Sequence, residues 1–292
     1  MTIREAWAAG AQALRQGEVA TESPELDARV LLCWVLKTDL TGLLRRYSEP
    51  FPDQESVTWA RVLAERAGGV PVAWLVGHQE FMGIEFLVAR GVLVPRADTE
   101  TLVEAALELL SPLSQEKLRV ADVCTGTGCV GLSLAASARW RQSWELWLTD
   151  LSPEALAVAR ANTVSLASGL QVKVVDSDLL AEVPGELDLI VSNPPYLTTE
   201  ETRHRKASGW QEPELALDGG EDGLELVRRL LEESFGALVE GGWVLLEAAD
   251  AQMEKIGALA RLVGFSETRL WRDLSGRQRV LGACRGGFLS GL

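Results

Sequence analysis

Asn193, Pro194, Pro195 and Tyr196 directly follow an apolar run, Leu187-Asp188-Leu189-Ile190-Val191-Ser192. Two consecutive prolines remove two backbone donors and stiffen φ, so the segment offers carbonyl acceptors and little else. Asn193 adds a side-chain carbonyl, and Tyr196 adds a flat ring with a polar tip. An NH2 group on an sp2 carbon carries two donors in one plane. The Asn193 side-chain oxygen and the Pro194 carbonyl can accept one each, while the Tyr196 ring packs on the planar group. Such a nitrogen is a poor nucleophile because its lone pair is delocalised. Holding both hydrogens aims the lone pair and favours the pyramidal nitrogen of a transition state. The sulfonium methyl of S-adenosylmethionine is an electrophile suited to in-line attack by that nitrogen. A turn that merely ends a strand would use the same four residues.

A second group surrounds a glycine-rich turn, Asp122-Val123-Cys124-Thr125-Gly126-Thr127-Gly128. Glycines let backbone approach a ligand, and a following helix N-terminus offers free N–H groups and partial positive charge. Such a turn holds phosphate or carboxylate equally well, or is simply tight. Asp150, followed by Leu151, ends the next apolar run; its carboxylate can accept from both hydroxyls of a ribose or cap the helix opened by Ser152-Pro153. Asp178 and Leu179 follow the third run, where a polar contact and an apolar wall can bracket an adenine. Joint placement after successive strands favours a nucleotide-like cofactor. These positions by themselves also admit NAD, although the G-x-G-x-x-G spacing is absent. Glu247 closes the fifth run and can face the same pocket, or be solvated or capping.

The elements needed to position these groups are legible as an alternation. Strands are predicted over 118–124, 145–149, 171–175, 187–192 and 243–247, and helices over 130–138, 153–167, 224–238 and 252–263. This order implies a parallel sheet with helices on both faces. Residues 268–271 and 279–283, separated by a short turn-forming segment, predict a terminal antiparallel hairpin. Ligands in such sheets bind beyond the carboxyl ends of the strands. Residues 1 to about 70 predict helices: Leu26, Val30, Leu31, Trp34 and Val35 recur at helical spacing, with Ser23 as cap and Pro24 first in the helix. Another helix, 57–67, stops at Gly68-Gly69. Between 70 and 95, Phe81, Ile84, Phe86, Val88, Val92 and Val94, broken by Gly83 and Gly91, predict short strands joining two domains. Helical spacing returns over 98–110.

Composition narrows the partners. Across 292 residues, 28 basic against 42 acidic side chains leave a charge of −14, which disfavours direct nucleic-acid binding. Cys33, Cys124, Cys129 and Cys284 form no C-x-x-C pair, and His78 and His204 are the only histidines. No zinc site is expected, and no Ser-His-Asp or Cys-His set competes with the Asn193 turn. Scattered cysteines and the absence of a long apolar segment predict a cytoplasmic protein without a membrane span.

In this order the motifs resemble the HemK/PrmC family, the N5-glutamine methyltransferases that modify the Gly-Gly-Gln motif of class I peptide-chain release factors. The likeness spans nearly the whole chain. It includes Ser23-Pro24-Glu25-Leu26-Asp27-Ala28-Arg29, Glu80-Phe81-Met82-Gly83, Pro95-Arg96-Ala97-Asp98-Thr99-Glu100, the reactive turn, Gly219-Gly220-Glu221-Asp222-Gly223-Leu224 and Asp273-Leu274-Ser275-Gly276-Arg277. The resemblance implies a class I methyltransferase fold, Rossmann-like and mostly parallel with the C-terminal hairpin. It implies a helical substrate-recognition domain over 1–75, a hairpin connector over 76–97 and a catalytic domain over 98–292. It further implies S-adenosylmethionine as cofactor, bound by Asp122, Cys124, Thr125, Gly126, Thr127, Gly128, Asp150, Leu151, Asp178, Leu179 and Asn193, and class I release factors as protein substrate. Asn-Pro-Pro-Tyr is shared with methyltransferases of adenine in DNA and of bases in RNA, and a ribosomal-protein glutamine is an alternative acceptor. A non-catalytic S-adenosylmethionine-binding scaffold is the contrasting class. The chain departs from the family in two places: Val123-Cys124 stands where Leu-Gly is usual, and Glu247-Ala248-Ala249 replaces an acidic-Ile-Gly run. A cysteine at 124 is costly if its φ is positive.

Overall fold

The computed structural model describes all residues except 20, 111–116, 138–139, 141–142 and 287–292. The chain forms two compact units, one of Met1–His78 with Arg203–Glu212 and one of Gln79–Thr202 with Pro213–Leu292.

The first unit contains α1 (Ile3–Arg15), α2 (Pro24–Val35), α3 (Leu40–Arg45), α4 (Ser56–Ala67) and α5 (Val72–Val76). Thr2 and Glu5 form a reciprocal capping box at α1. Pro24 takes the first position of α2, but the Ser23 side chain makes no capping bond; with Pro24 in place, one of the orphan donors is already absent. The face α2 buries is Ala28, Leu31, Leu32 and Val35, whereas Leu26 and Trp34 are exposed, so the expected apolar stripe is displaced toward Ala28 and Leu32. Asp27 accepts from Arg66 Nε at 2.7 Å and from Thr21 Oγ1 at 2.6 Å, tying α2 to α4. Residues 203–212 join this unit where Gly69, at φ +93°, lets backbone approach: a Cβ there would lie 2.4 Å from the Gly209 carbonyl oxygen.

The second unit opens with a hairpin, β1 (His78–Phe81) and β2 (Ile84–Leu87). Met82 and Gly83 between them have φ +53° and +72°, the doubly positive pair that suits the twist of a two-residue hairpin. Val92 and Val94 are buried but lie in no strand, which corrects the expectation of further short strands; their side chains pack while the backbone runs irregularly. Then follow α6 (Glu100–Leu110), β3 (Arg119–Val123), α7 (Cys129–Ala136), β4 (Glu145–Asp150), α8 (Pro153–Leu166), β5 (Gln171–Asp176), β6 (Leu187–Ser192), α9 (Thr199–Ala207), α10 (Glu225–Ala237), β7 (Leu238–Glu247), α11 (Met253–Val263), β8 (Glu267–Arg272) and β9 (Gln278–Cys284). Residue 138 of the expected 130–138 helix lies outside the described residues, and α9 was not foreseen.

The seven strands run β5-β4-β3-β6-β7-β9-β8. The first five are parallel, and β9 pairs antiparallel with both β7 and β8. β3 and β6 are buried at nearly every position, as a central parallel strand covered on both faces must be. One apolar cluster joins α6 and α7 to one face through Leu102, Leu132, Val120 and Leu189. Another joins α10 and α11 to the opposite face through Leu230, Ile256, Ile190 and Val244. No helix among the described residues is long and apolar enough to cross a membrane.

Candidate active site

Strand β3 has β4 on one side and β6 on the other, so connections leave it in opposite directions and a crevice opens above its carboxyl end. Asp122, near that end, is buried. Its Oδ2 accepts from Thr125 Oγ1 at 2.7 Å and from the Gly131 amide at 2.9 Å, which ties the start of α7 to the strand. Burial pushes its carboxyl up to about 7 against those hydrogen bonds. A folded value above the unfolded one means that ionising Asp122 costs stability as pH rises from about 4 through 7.

The turn beyond it is held from β4. Asp150 Oδ2 accepts from the Gly126 amide and Oδ1 from the Ser152 amide, each at 2.9 Å. Ser152 itself caps α8 through its side chain, so Asp150 serves the turn rather than the helix. A carboxylate has about four acceptor positions, so the backbone amides around Asp150 leave capacity for a ligand hydroxyl. Burial raises the Asp150 carboxyl. Gly126 has φ +56°, and a Cβ built there would meet nothing within 4 Å; the bare backbone makes a cradle. Asn162 of α8 supports it from behind, its Nδ2 donating to the Thr127 carbonyl at 2.9 Å.

Cys124 has φ +57°, the left-handed region in which a side chain is strained by about 1–2 kcal/mol. Its thiol is held well above the usual range by burial, with Asp150 adding to the effect, so it stays protonated. Cys124→Gly is expected to exceed Cys124→Ala in stability by roughly 1 kcal/mol, after discounting the larger unfolded-chain entropy of glycine. Urea unfolding of the two variants measures this directly, and equal midpoints would mean that no strain resides there.

Leu179 has φ +51°, held by the Thr149 and Ser177 hydroxyls, which donate to its carbonyl at 3.2 and 3.0 Å. Its buried side chain forms an apolar wall beside Asp178, whose Oδ2 pairs with Arg229 at 2.8 Å. At the end of β6, Asn193 Nδ2 donates to Thr99 Oγ1 at 3.3 Å.

One cleft is lined by Asp122, Cys124, Thr125, Gly126, Thr127, Asp150, Leu151, Asp178, Leu179, Asn193 and Pro195. Gly128, Pro194 and Tyr196 stand outside that lining. Gly128, at φ +82°, packs close under the turn, with Leu132 and Leu148 3.1 and 3.3 Å from where its Cβ would be. The Tyr196 side chain faces Glu247 and Arg279, and its carbonyl accepts from Gln252 Nε2 at 2.8 Å. Sequence reasoning missed Thr99, Gln252 and Asn162, whose partners lie far along the chain. Arg96 and Leu226, which also line the cleft, gave no local signal either.

A parallel sheet that binds at its switch point, a bare glycine cradle, a carboxylate with free acceptor positions and an apolar wall fit S-adenosylmethionine. Fold and cleft together define a class I S-adenosylmethionine-dependent methyltransferase. The chain is 39% identical to the release factor glutamine methyltransferase of Moorella thermoacetica over 98% of its own length and 99% of the relative's. To that of Deinococcus radiodurans it is 42% identical over 91% and 92%. It belongs to the release factor glutamine methyltransferase family. Residues 5–77 match the model of the PrmC N-terminal domain, and residues 99–209 match that of the methyltransferase small domain. Two solved structures share the fold: a methyltransferase from Pyrococcus furiosus (TM-score 0.51, 20% identity, 80% of this chain and 100% of that one), and the hMettl16 catalytic domain (0.56, 15%, 83% and 85%).

Proposed function

We propose that this enzyme transfers the methyl group of S-adenosylmethionine to the side-chain amide nitrogen of the glutamine in the Gly-Gly-Gln motif of class I peptide-chain release factors. The observation that carries the reading is the placement of Asn193 and Pro195 on the same cleft as the cradle formed by Gly126 and Asp150. An acceptor held at Asn193 therefore faces a cofactor held at the turn.

S-adenosylmethionine supplies an electrophilic methyl on a sulfonium. Asp150 would accept from the ribose hydroxyls, the backbone at Cys124 and Gly126 would take the methionine part, and Leu179 would wall the adenine. Asn193 Oδ1 and the Pro194 carbonyl each accept one hydrogen of the glutamine NH2. That grip turns the nitrogen lone pair toward the methyl and stabilises the pyramidal nitrogen as charge develops there. Bound there, the cofactor would supply the methyl carbon and keep the C–S electron pair on sulfur, and the nitrogen gripped by Asn193 and Pro194 would lose a proton to water.

The acceptor is tested by incubating the protein with labelled S-adenosylmethionine and a purified class I release factor, followed by peptide mass spectrometry. Label is expected on the Gly-Gly-Gln glutamine and should vanish when that glutamine is replaced. Label on a ribosomal protein glutamine or on adenine in nucleic acid, with the release factor untouched, would reassign the substrate. The net charge of −14 weighs against the nucleic acid.

A further inference from the structure

Thr99 is buried at 3% exposure and lies 94 positions before Asn193, whose Nδ2 donates to its hydroxyl oxygen. A hydroxyl has one proton and two lone pairs. Glu247, at the end of β7 and 2% exposed, lies against Thr99, and although burial pushes its carboxyl up to about 7, its ionised form takes that proton. Only lone pairs then remain toward Asn193, so only the NH2 edge of the Asn193 amide can face Thr99. The Oδ1 edge must turn the other way, and no described residue donates to it. With the amide reversed, Asn193 would present hydrogens to an acceptor NH2, donor against donor.

The surroundings keep Glu247 in this role. Arg279 adds positive charge beside it and is itself fixed by Asp98 Oδ2 at 2.9 Å and Asp273 Oδ2 at 3.0 Å. Tyr196 faces the same carboxyl. The second oxygen of Glu247, Oε2, is buried with no hydrogen bond among the described residues. Leaving such an oxygen unmatched is destabilising, so fold stability alone does not account for a glutamate there.

We propose that Thr99 and Glu247 are positioning residues for methyl transfer, together dictating which edge of the Asn193 amide meets the acceptor nitrogen. This rests on the role given to Asn193 above. It gives the Asp98-Thr99-Glu100 segment and the Asp273–Arg279 hairpin turn a shared task, since both converge on Glu247.

Thr99→Val removes the hydroxyl while keeping the shape. With a release factor as acceptor, its kcat is expected to fall by about 100-fold, the scale on which misplaced catalytic groups act, while the KM for S-adenosylmethionine and the melting temperature stay near wild type. Thr99→Ser should recover most of the rate, and Thr99→Ala should reproduce the loss. Glu247→Gln, whose amide can present either edge to Thr99, is expected to slow turnover and to be non-additive with Thr99→Val, because both break one chain. Wild-type turnover in Thr99→Val, equal impairment in Thr99→Ser, a loss confined to KM, or additive effects would each overturn the proposal. Asn193→Ala separates the two levels. If it is inactive while Thr99→Val is fully active, the positioning chain is wrong and the Asn193 role stands; if it is active, that role is wrong as well.

Discussion

Asn193→Ala lowers kcat for methylation of a release factor by about 100- to 1000-fold, the range seen when one preorganised polar contact to a transition state is removed. Cofactor affinity changes by less than about threefold, because the cradle is built by Asp122, Gly126 and Asp150 at the ends of β3 and β4, and those contacts survive. The fold survives too: among the described residues the side chain makes one hydrogen bond, to Thr99, and losing it costs on the order of 1 kcal/mol. Isothermal titration with S-adenosylmethionine beside a single-turnover assay reads both quantities. A variant that still methylates at the wild-type rate removes Asn193 from the reaction, and one that fails to bind cofactor moves it from the acceptor to the cofactor.

What made Asn193 legible was locality. Asn193-Pro194-Pro195-Tyr196 abuts its own strand, and each acidic group lining the cleft sits at the end of an apolar run, so alternation alone placed Asp122, Asp150 and Asp178 at one end of the sheet. Positive φ at Cys124 was inferable only as a condition; the structure supplies the value. Other parts of the site have no local trace. The Thr99 hydroxyl meets Asn193 across 94 residues, and Gln252 reaches the Tyr196 carbonyl across 56. Tyr196 shows a different limit. Its ring reads as a packing surface for the acceptor amide, and the fold adds what the sequence does not show, that its side chain also reaches the Glu247 carboxyl. In the same way, Ser23 has the right type and spacing for a cap, but the observed backbone leaves its side chain without that bond.

Gly223→Ala should damage both stability and turnover from outside the cleft. Gly223 has φ +71°, and an added Cβ would lie 2.4 Å from the Tyr196 carbonyl oxygen and 2.7 Å from Gln252 Nε2. Gln252 Nε2 donates to both the Tyr196 and the Gly223 carbonyls. The loop from Leu217 to Gly223 also runs beside the reactive turn: Leu197 N donates to the Leu217 carbonyl at 3.0 Å, and Gly219 N donates to the Leu197 carbonyl at 2.7 Å. A methyl group at 223 has no flexible neighbour to displace on its closest side, since the nearest atom is backbone. The turn or the loop must move. Positive φ costs about 1–2 kcal/mol and overpacking about 1–3 kcal/mol more, a loss visible as a lowered melting temperature. Because the displaced carbonyl belongs to Tyr196, the shift reaches Asn193 and Pro194, and an error near 1 Å there is expected to slow turnover about 100-fold even well below the melting temperature. Cofactor binding should persist. Gly169→Ala is the matched control: Gly169 has φ +86° but nothing within 4 Å of its Cβ position, so it loses stability through φ alone and keeps its rate. If Gly223→Ala and Gly169→Ala turn over equally fast, the close approach at Gly223 does not set the position of the reactive turn.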